Sequence, residues 1–250
     1  MKIAVCIKRV PDMEMRLSIA ADRTSLDPTG LKYEMGDFDG YALEVALQLT
    51  EKHGPGEVVV LSLGPDSVQE ILRKGLAMGA SRAVQLKVDP VPFDGWAIAH
   101  ALAEELRGGN YDLILFGRMA TDTANGTVGP MTAELLDLPC VTGISQLQIE
   151  NRGGTARRDL EGASETVQFQ VPAVLTIDEG IARPRLASLK GIMAAKKKPL
   201  DTKPAQLGKI NLTVQRMELP PDRPPGRIIG EGADAVPELL RLLQTEAKVL

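Results

Sequence analysis

The stretch Glu57-Val58-Val59-Val60-Leu61-Ser62-Leu63, closed by Gly64-Pro65-Asp66, decides the fold. It is short, almost continuously apolar and rich in β-branched residues, which describes a strand covered on both faces. Upstream, Ile3-Ala4-Val5-Cys6-Ile7 has the same character and stops at Lys8-Arg9-Val10-Pro11-Asp12. Between the two runs, Ala42, Val45, Ala46 and Leu49 recur at helical spacing, and His53-Gly54-Pro55-Gly56 ends that helix. Downstream, Ser67 and Glu70 have the spacing of a capping box, opening a helix through Met78. Residues 83–88 read as a third strand, and Trp96, Ala99, His100 and Ala103 as the buried face of a third helix. Residues 111–116 read as a fourth strand, 117–129 as a loop, and Pro130 opens a fourth helix to about Asp137. Strand and helix alternating over ~140 residues specify an α/β fold with a doubly wound, mostly parallel, Rossmann-like sheet.

Beyond Leu138-Pro139 the period changes. Leu147 and Ile149 alternate with polar residues, Asn151-Arg152-Gly153-Gly154 is a turn signal, and Val167, Phe169 and Val171 alternate again. These read as a small antiparallel, hairpin-like extension, followed by a buried strand over 173–177. From 196 to 230 the periodicity dissolves, with six prolines between Pro199 and Pro225. Val236, Leu239, Leu240 and Leu243 then form a last apolar stripe. The expected division is an α/β domain over 1–195 and an extended arm with a helix over 196–250. So long a patternless stretch suits an arm lying on another chain.

The 250 residues carry 44% hydrophobic and 25% charged residues and a net charge of −4, the balance of an ordinary globular chain without a basic field for nucleic acid. Aromatic residues at 3% also argue against a base-stacking platform. Cys6 and Cys140 both fall in apolar surroundings and read as buried thiols in a reducing compartment. The absence of a leader-like segment and of a ~20-residue apolar run leads to the expectation of a cytoplasmic location without membrane insertion.

The chemistry-bearing segment is 117–129, Gly-Arg-Met-Ala-Thr-Asp-Thr-Ala-Asn-Gly-Thr-Val-Gly. It follows a strand and precedes a helix, so it lies at the C-terminal edge of a parallel sheet, where ligands bind. Small residues let amides approach a ligand, Thr123 and Thr127 add hydroxyls, and a helix N-terminus favours an anion. Two readings stand on spacing alone, a phosphate cradle and a turn-rich surface loop. The segment is neither a Walker A loop nor a GxGxxG fingerprint. No catalytic residue set, metal-ligand cluster or nucleophile elbow is visible. His100 reads as a satisfied core residue, His53 as solvated, and Lys196-Lys197-Lys198 as a solvated face.

Several separated motifs together resemble the beta subunit of the electron transfer flavoproteins. They are Ile3-Ala4-Val5-Cys6-Ile7-Lys8-Arg9-Val10, Ala77-Met78-Gly79-Ala80-Ser81-Arg82, and the segment 160–198, with LEGASETVQFQVPAVLTID followed by RPRLASLKGIMAAKKKP. The resemblance spans residues 1 to about 200. It implies a heterodimer with an alpha subunit that holds the redox-active FAD near the junction. It implies electron shuttling, without catalysis by this chain, from acyl-CoA or other flavoprotein dehydrogenases to a downstream quinone oxidoreductase. It also implies a structural AMP in this chain. The matching AMP positions are Cys6, Gly36, Leu63, Asp122, Thr123, Asn125, Gly126, Thr127 and Val128. Gly36 stands where the family has an asparagine, so one side-chain contact is lost or replaced. Met13, Phe38 and Glu165 match positions near the flavin, although Met13 replaces a tyrosine of some members. Leu189 matches the anchor of a loop that engages a partner dehydrogenase. Val10-Pro11-Asp12 and Val128-Gly129-Pro130 also resemble the bifurcating branch, which binds a second FAD in place of AMP; residues 194–198 resemble the AMP branch. An alternative of another class is a stand-alone adenine-nucleotide sensor. An adenylyl-transfer enzyme would show an SGGxDS loop or an HxGH pair, and neither is present.

Overall fold

The computed structural model describes residues 1–250 except 151, 223 and 224. The elements follow the sequence periodicities closely through the first half. Strand β1 (Lys2–Cys6) leads into a short ribbon of β2 (Arg9–Pro11) and β3 (Tyr33–Met35), then helix α1 (Asp37–His53). Strand β4 (Glu57–Gly64), helix α2 (Gln69–Met78), strand β5 (Arg82–Lys87) and helix α3 (Gly95–Arg107) come next. Strand β6 (Leu113–Gly117) and helix α4 (Val128–Leu136) complete the parallel half.

A meander follows, with β7 (Cys140–Glu150), β8 (Gly153–Leu160) and β9 (Ala163–Gln170). The chain returns through β10 (Ala173–Ile177), α5 (Leu189–Ala195) and β11 (Leu200–Pro204). All of these strands except β2 and β3 join one sheet of order β11-β5-β4-β1-β6-β10-β7-β8-β9. Pairing is parallel from β11 to β7 and antiparallel through β8 and β9. The chain winds outward from β1 to β4 and β5, then crosses back to β6, so the strand order reverses beside β1.

The pleat divides the core in two. Ile3, Val5, Val58 and Val60 face one way, against Leu43 and Leu47 of α1 and Leu72 and Leu76 of α2. Ala4, Cys6, Val59 and Leu61 face the other way, against Leu102 and Leu106 of α3 and Ala133 of α4. Strands buried on both faces explain the near-continuous apolar runs.

Several sequence expectations change. The Ser67 capping box does not form: Ser67 lies in a 3-10 turn (Asp66–Val68), and α2 starts after Val68 without a side-chain cap. On α3 the buried residues are Ala97, Ala99, Ala101, Leu102, Ala103 and Leu106, while Trp96 is 36% exposed. His100 is half-buried beside Gly208, with Nδ1 3.3 Å from the Gln206 carbonyl oxygen. The expected hairpin is a three-stranded meander, because β8 occupies a stretch whose polar residues hid its alternation. Of the expected turn at 151–154, Asn151 lies outside the described residues, and Gly153 and Gly154 already belong to β8.

The first stretch beyond residue 196 is also ordered. Strand β11 pairs in register with β5, and the chain continues beside α3, the Gly208 amide donating to the Ala97 carbonyl at 3.2 Å. There Asp94 uses one carboxylate oxygen to cap Trp96 N–H and the other to accept from the amides of Asn211 and Leu212. Lys198 is no solvated residue. Its Nζ donates to the Leu76 and Ala80 carbonyls at the end of α2, 3.0 and 2.6 Å away, and burial lowers its pKa. Compact units span Met1–Met217 and Glu218–Leu250. The second unit holds α6 (Val236–Leu242), on which Val236, Leu239 and Leu240 are 42–48% exposed.

Candidate functional site

The strand order reverses beside β1, and the C-terminal ends of β1 and β6 are the usual ligand position in such sheets. Local sequence dictates what stands there. Chain polarity changes abruptly after Ile7, so Lys8 is the first charged residue beyond the buried run of β1. Gly36 precedes α1 and sits on this same edge, its amide donating to the Lys8 carbonyl at 3.1 Å. A Cβ at Gly36 would meet the Asp39 carboxylate at 2.9 Å, so the position leaves no room for an asparagine side chain without displacing Asp39.

Asp39 ties the edge together. It is 7% exposed. One carboxylate oxygen accepts from the Lys8 amide at 2.7 Å, the other from the Gly117 amide at 3.2 Å. Burial pushes its pKa up to about 7, against the pull of those two amides and of the Lys8 charge, with nearby Asp122 adding to the rise. Gly117 is required here, since a Cβ would fall 2.5 Å from the Asp39 carboxylate and 2.7 Å from Phe38 Cβ.

The segment after Gly117 stands open rather than collapsed onto the sheet; residues 124–127 are exposed. Ala124 and Gly126 adopt the left-handed conformation, with φ of 52° and 61°. The amides of Thr123 and Ala124 turn back onto the Ala120 carbonyl. Those of Asn125, Gly126, Thr127 and Val128 donate to no backbone carbonyl among the described residues. Helix α4 begins at Val128, two residues earlier than Pro130, because the Thr127 carbonyl already accepts from the Met131 amide. Thr127 and Val128 therefore belong to a helix N-terminus, whose outward amides and dipole suit an anion. The loop is held at two points. Lys8 Nζ lies 2.7 Å from both oxygens of Asp122, and Arg118 Nη1 lies 2.7 Å from Asp178. Cys6 and Leu63 lie on one face of the sheet at its C-terminal edge, beside Phe116. This donor set fits an adenine nucleotide, with amides and hydroxyls for a phosphate and an apolar wall for the base.

The positions aligned with the flavin are less gathered. Phe38 is in the first turn of α1 and stacks edge-on to Tyr41, their centroids 6.4 Å apart. Met13 lies just beyond β2 and is 51% exposed. Glu165 is on β9, opposite Arg158 and 3.4 Å from its Nε. Among the described residues, no hydrogen bond, ion pair or ring contact joins Glu165 to Met13 or Phe38. Leu189, the first residue of α5, is 82% exposed, with Leu186 (95%) and Met193 (72%) nearby in the chain. The segment that carries them is anchored by Arg185, which donates through Nε to the buried Glu44 at 2.8 Å and through Nη1 to Glu51 at 2.6 Å.

Sequence reasoning missed Lys8, Asp39 and the Arg185–Glu44 pair. The available signal was a charged residue directly after a buried strand and an acidic residue inside the first turn of an apolar helix. Cys140, expected to be buried, is exposed: it opens β7 on the face opposite its buried neighbour Val141, while Cys6 is buried. A shallow cleft lined by Lys52, His53, Gln148, Ile149 and Glu150 lies by the C-terminal end of α1, away from this site. No group of three or more metal-ligating side chains occurs among the described residues, and no helix among them is long and apolar enough to cross a membrane.

The fold defines an α/β protein of the doubly wound class, with an open loop at the C-terminal edge of its sheet. Residues 24–207 match the family model of the electron transfer flavoprotein domain. The chain is 36% identical over its full length to electron transfer flavoprotein subunit beta of Bacillus subtilis (strain 168), all of which is covered. It is 34% identical, again over its whole length, to the human protein of that name, of which 99% is covered. The Bradyrhizobium diazoefficiens protein matches at 36% over the full length of both chains. The chain belongs to the electron transfer flavoprotein beta-subunit family, whose members carry electrons rather than catalyse a reaction of their own.

Proposed function

We propose that this chain pairs with an alpha subunit and relays electrons from flavoprotein dehydrogenases to a downstream acceptor, with a structural AMP bound in the 122–128 loop. The observation that carries the nucleotide reading is the run of four amides without a backbone acceptor among the described residues, Asn125 to Val128, leading into the N-terminus of α4. Thr123, Asn125, Gly126, Thr127 and Val128 would surround the phosphate side and Cys6, Gly36 and Leu63 the adenosine side, while Asp122 would hold the loop through Lys8. A monophosphate placed on amides and a helix N-terminus needs no arginine clamp.

FAD, when bound at the junction with the alpha subunit, supplies the redox chemistry. Met13, Phe38 and Glu165 are the groups this chain would bring toward it. Glu165 would disfavour an anionic flavin, and Arg158 at 3.4 Å tempers that effect by neutralising part of its charge. Leu189 would serve as the apolar anchor for a dehydrogenase. Its 82% exposure on a segment braced by the Glu44–Arg185 pair supports that role. Residues 196–250 would make the contacts that hold the alpha subunit, and the exposed stripe of α6 supports this.

Val128-Gly129-Pro130 favours a second reading, in which the same loop holds a second FAD. Denaturing the purified heterodimer and identifying what is released decides the matter. One FAD and one AMP per heterodimer are expected. Two FAD molecules would replace the AMP reading, and the absence of any adenine nucleotide from this subunit would end both.

A further inference from the structure

Both cations beside the nucleotide loop are already engaged. Arg118 is paired with Asp178, and Lys8 with Asp122. A loop meant to receive a phosphate nevertheless carries a carboxylate, Asp122, whose side chain is only 20% exposed. Left alone, that carboxylate would repel the incoming anion. Lys8 Nζ sits 2.7 Å from each of its oxygens, a bidentate contact that cancels the charge. The ammonium is held in place from behind, because the Lys8 amide is fixed on Asp39 and Asp39 also holds Gly117 at the root of the loop. A single unit therefore joins the end of β1, the first turn of α1, the end of β6 and the middle of the loop.

We propose that Lys8 is a positioning residue for the nucleotide: it neutralises Asp122 and pins the loop over the end of β1, so that the 125–128 amides face the phosphate. Asp122 acts through this pair and not as a direct contact to the nucleotide. The inference rests on the reading that the loop holds AMP. It has a consequence that a purely structural salt bridge would not have. Removing Lys8 exposes an unpaired carboxylate, whereas removing the charge of Asp122 while keeping its oxygen leaves the pin in place and frees a cation.

The test uses the intact heterodimer, wild-type and with Lys8→Met, Lys8→Arg, Asp122→Asn and the double change Lys8→Met/Asp122→Asn. AMP is released by acid and counted per heterodimer, and its dissociation constant is measured by equilibrium dialysis with labelled AMP. Lys8→Met should weaken AMP binding by about tenfold or more, the scale of one charge-assisted contact, and Lys8→Arg should restore most of it. Asp122→Asn should bind AMP no more weakly than wild type, and the double change should bind it more tightly than Lys8→Met alone. Wild-type affinity in Lys8→Met would overturn the proposal. So would a double change no better than Lys8→Met, or a marked loss in Asp122→Asn, which would make Asp122 a direct ligand. A wild-type heterodimer that neither contains nor binds AMP would remove the reading underneath, and the proposal with it.

Discussion

Asp39 shows how a single residue can couple the site to pH. Its carboxyl is buried, and burial raises its pKa from the ordinary carboxylate value to about 7, while the amides of Lys8 and Gly117 and the Lys8 ammonium oppose the rise. The folded chain therefore holds a proton on Asp39 between about pH 4 and pH 7, where the unfolded chain does not. A group that binds more protons when folded contributes stability that is full below its unfolded pKa and is lost as pH rises through its folded value. An Asp39→Asn variant lacks this term. Thermal melts of the two proteins should differ most in favour of wild type near pH 5 and least near pH 8. An identical difference at both pH values would show that Asp39 does not titrate in this window.

At the scale of elements, α5 matters because it presents Leu189 and packs on α2 through an unusually close approach. Gly191 makes that approach feasible: a Cβ there would collide with the backbone carbonyl of Ala77, and the Ser188 hydroxyl caps its amide at 3.1 Å. Two effects oppose each other in Gly191→Ala. Helix propensity favours alanine by about 0.8–1 kcal/mol. Overpacking against a rigid backbone atom costs about 1–3 kcal/mol and wins. The variant should unfold at lower urea concentration, whereas Gly108→Ala, at a position with nothing within 4 Å, should stay within about 0.5 kcal/mol of wild type. Equal midpoints for the two variants would mean that α5 does not need its present packing.

Across the whole molecule, the division at Met217 separates a sheet-based unit from a short unit whose apolar stripe is about half-exposed. The first unit has its own core on both faces of the sheet and needs no partner to account for its burial. A chain ending at Met217 should keep the cooperative unfolding transition of that core. It should be retained more weakly by an alpha subunit in a pull-down, since residues 218–250 of the proposed contact segment have gone. Undiminished capture would place the alpha-subunit contacts on the first unit instead.

Periodicity alone identified β1, β4, β6 and β10 and helices α1 and α3, because burial on two faces or one stripe leaves its mark in local composition. It also located the 117–129 loop, through small residues placed between a strand and a helix. It could not find β11: the segment Leu200–Pro204 is mostly polar and becomes a strand only because β5 offers an open edge. Nor could it find the Lys8–Asp122 pair, 114 residues apart, or the Arg185–Glu44 pair, 141 apart, since nothing local records which distant charge a side chain will meet. The sequence by itself determined the class of sheet and the place of the 117–129 loop, because both follow from short-range pattern. The tertiary structure alone decided how that loop is charged and pinned, because those forces act between elements that meet only once the sheet has wound back on itself.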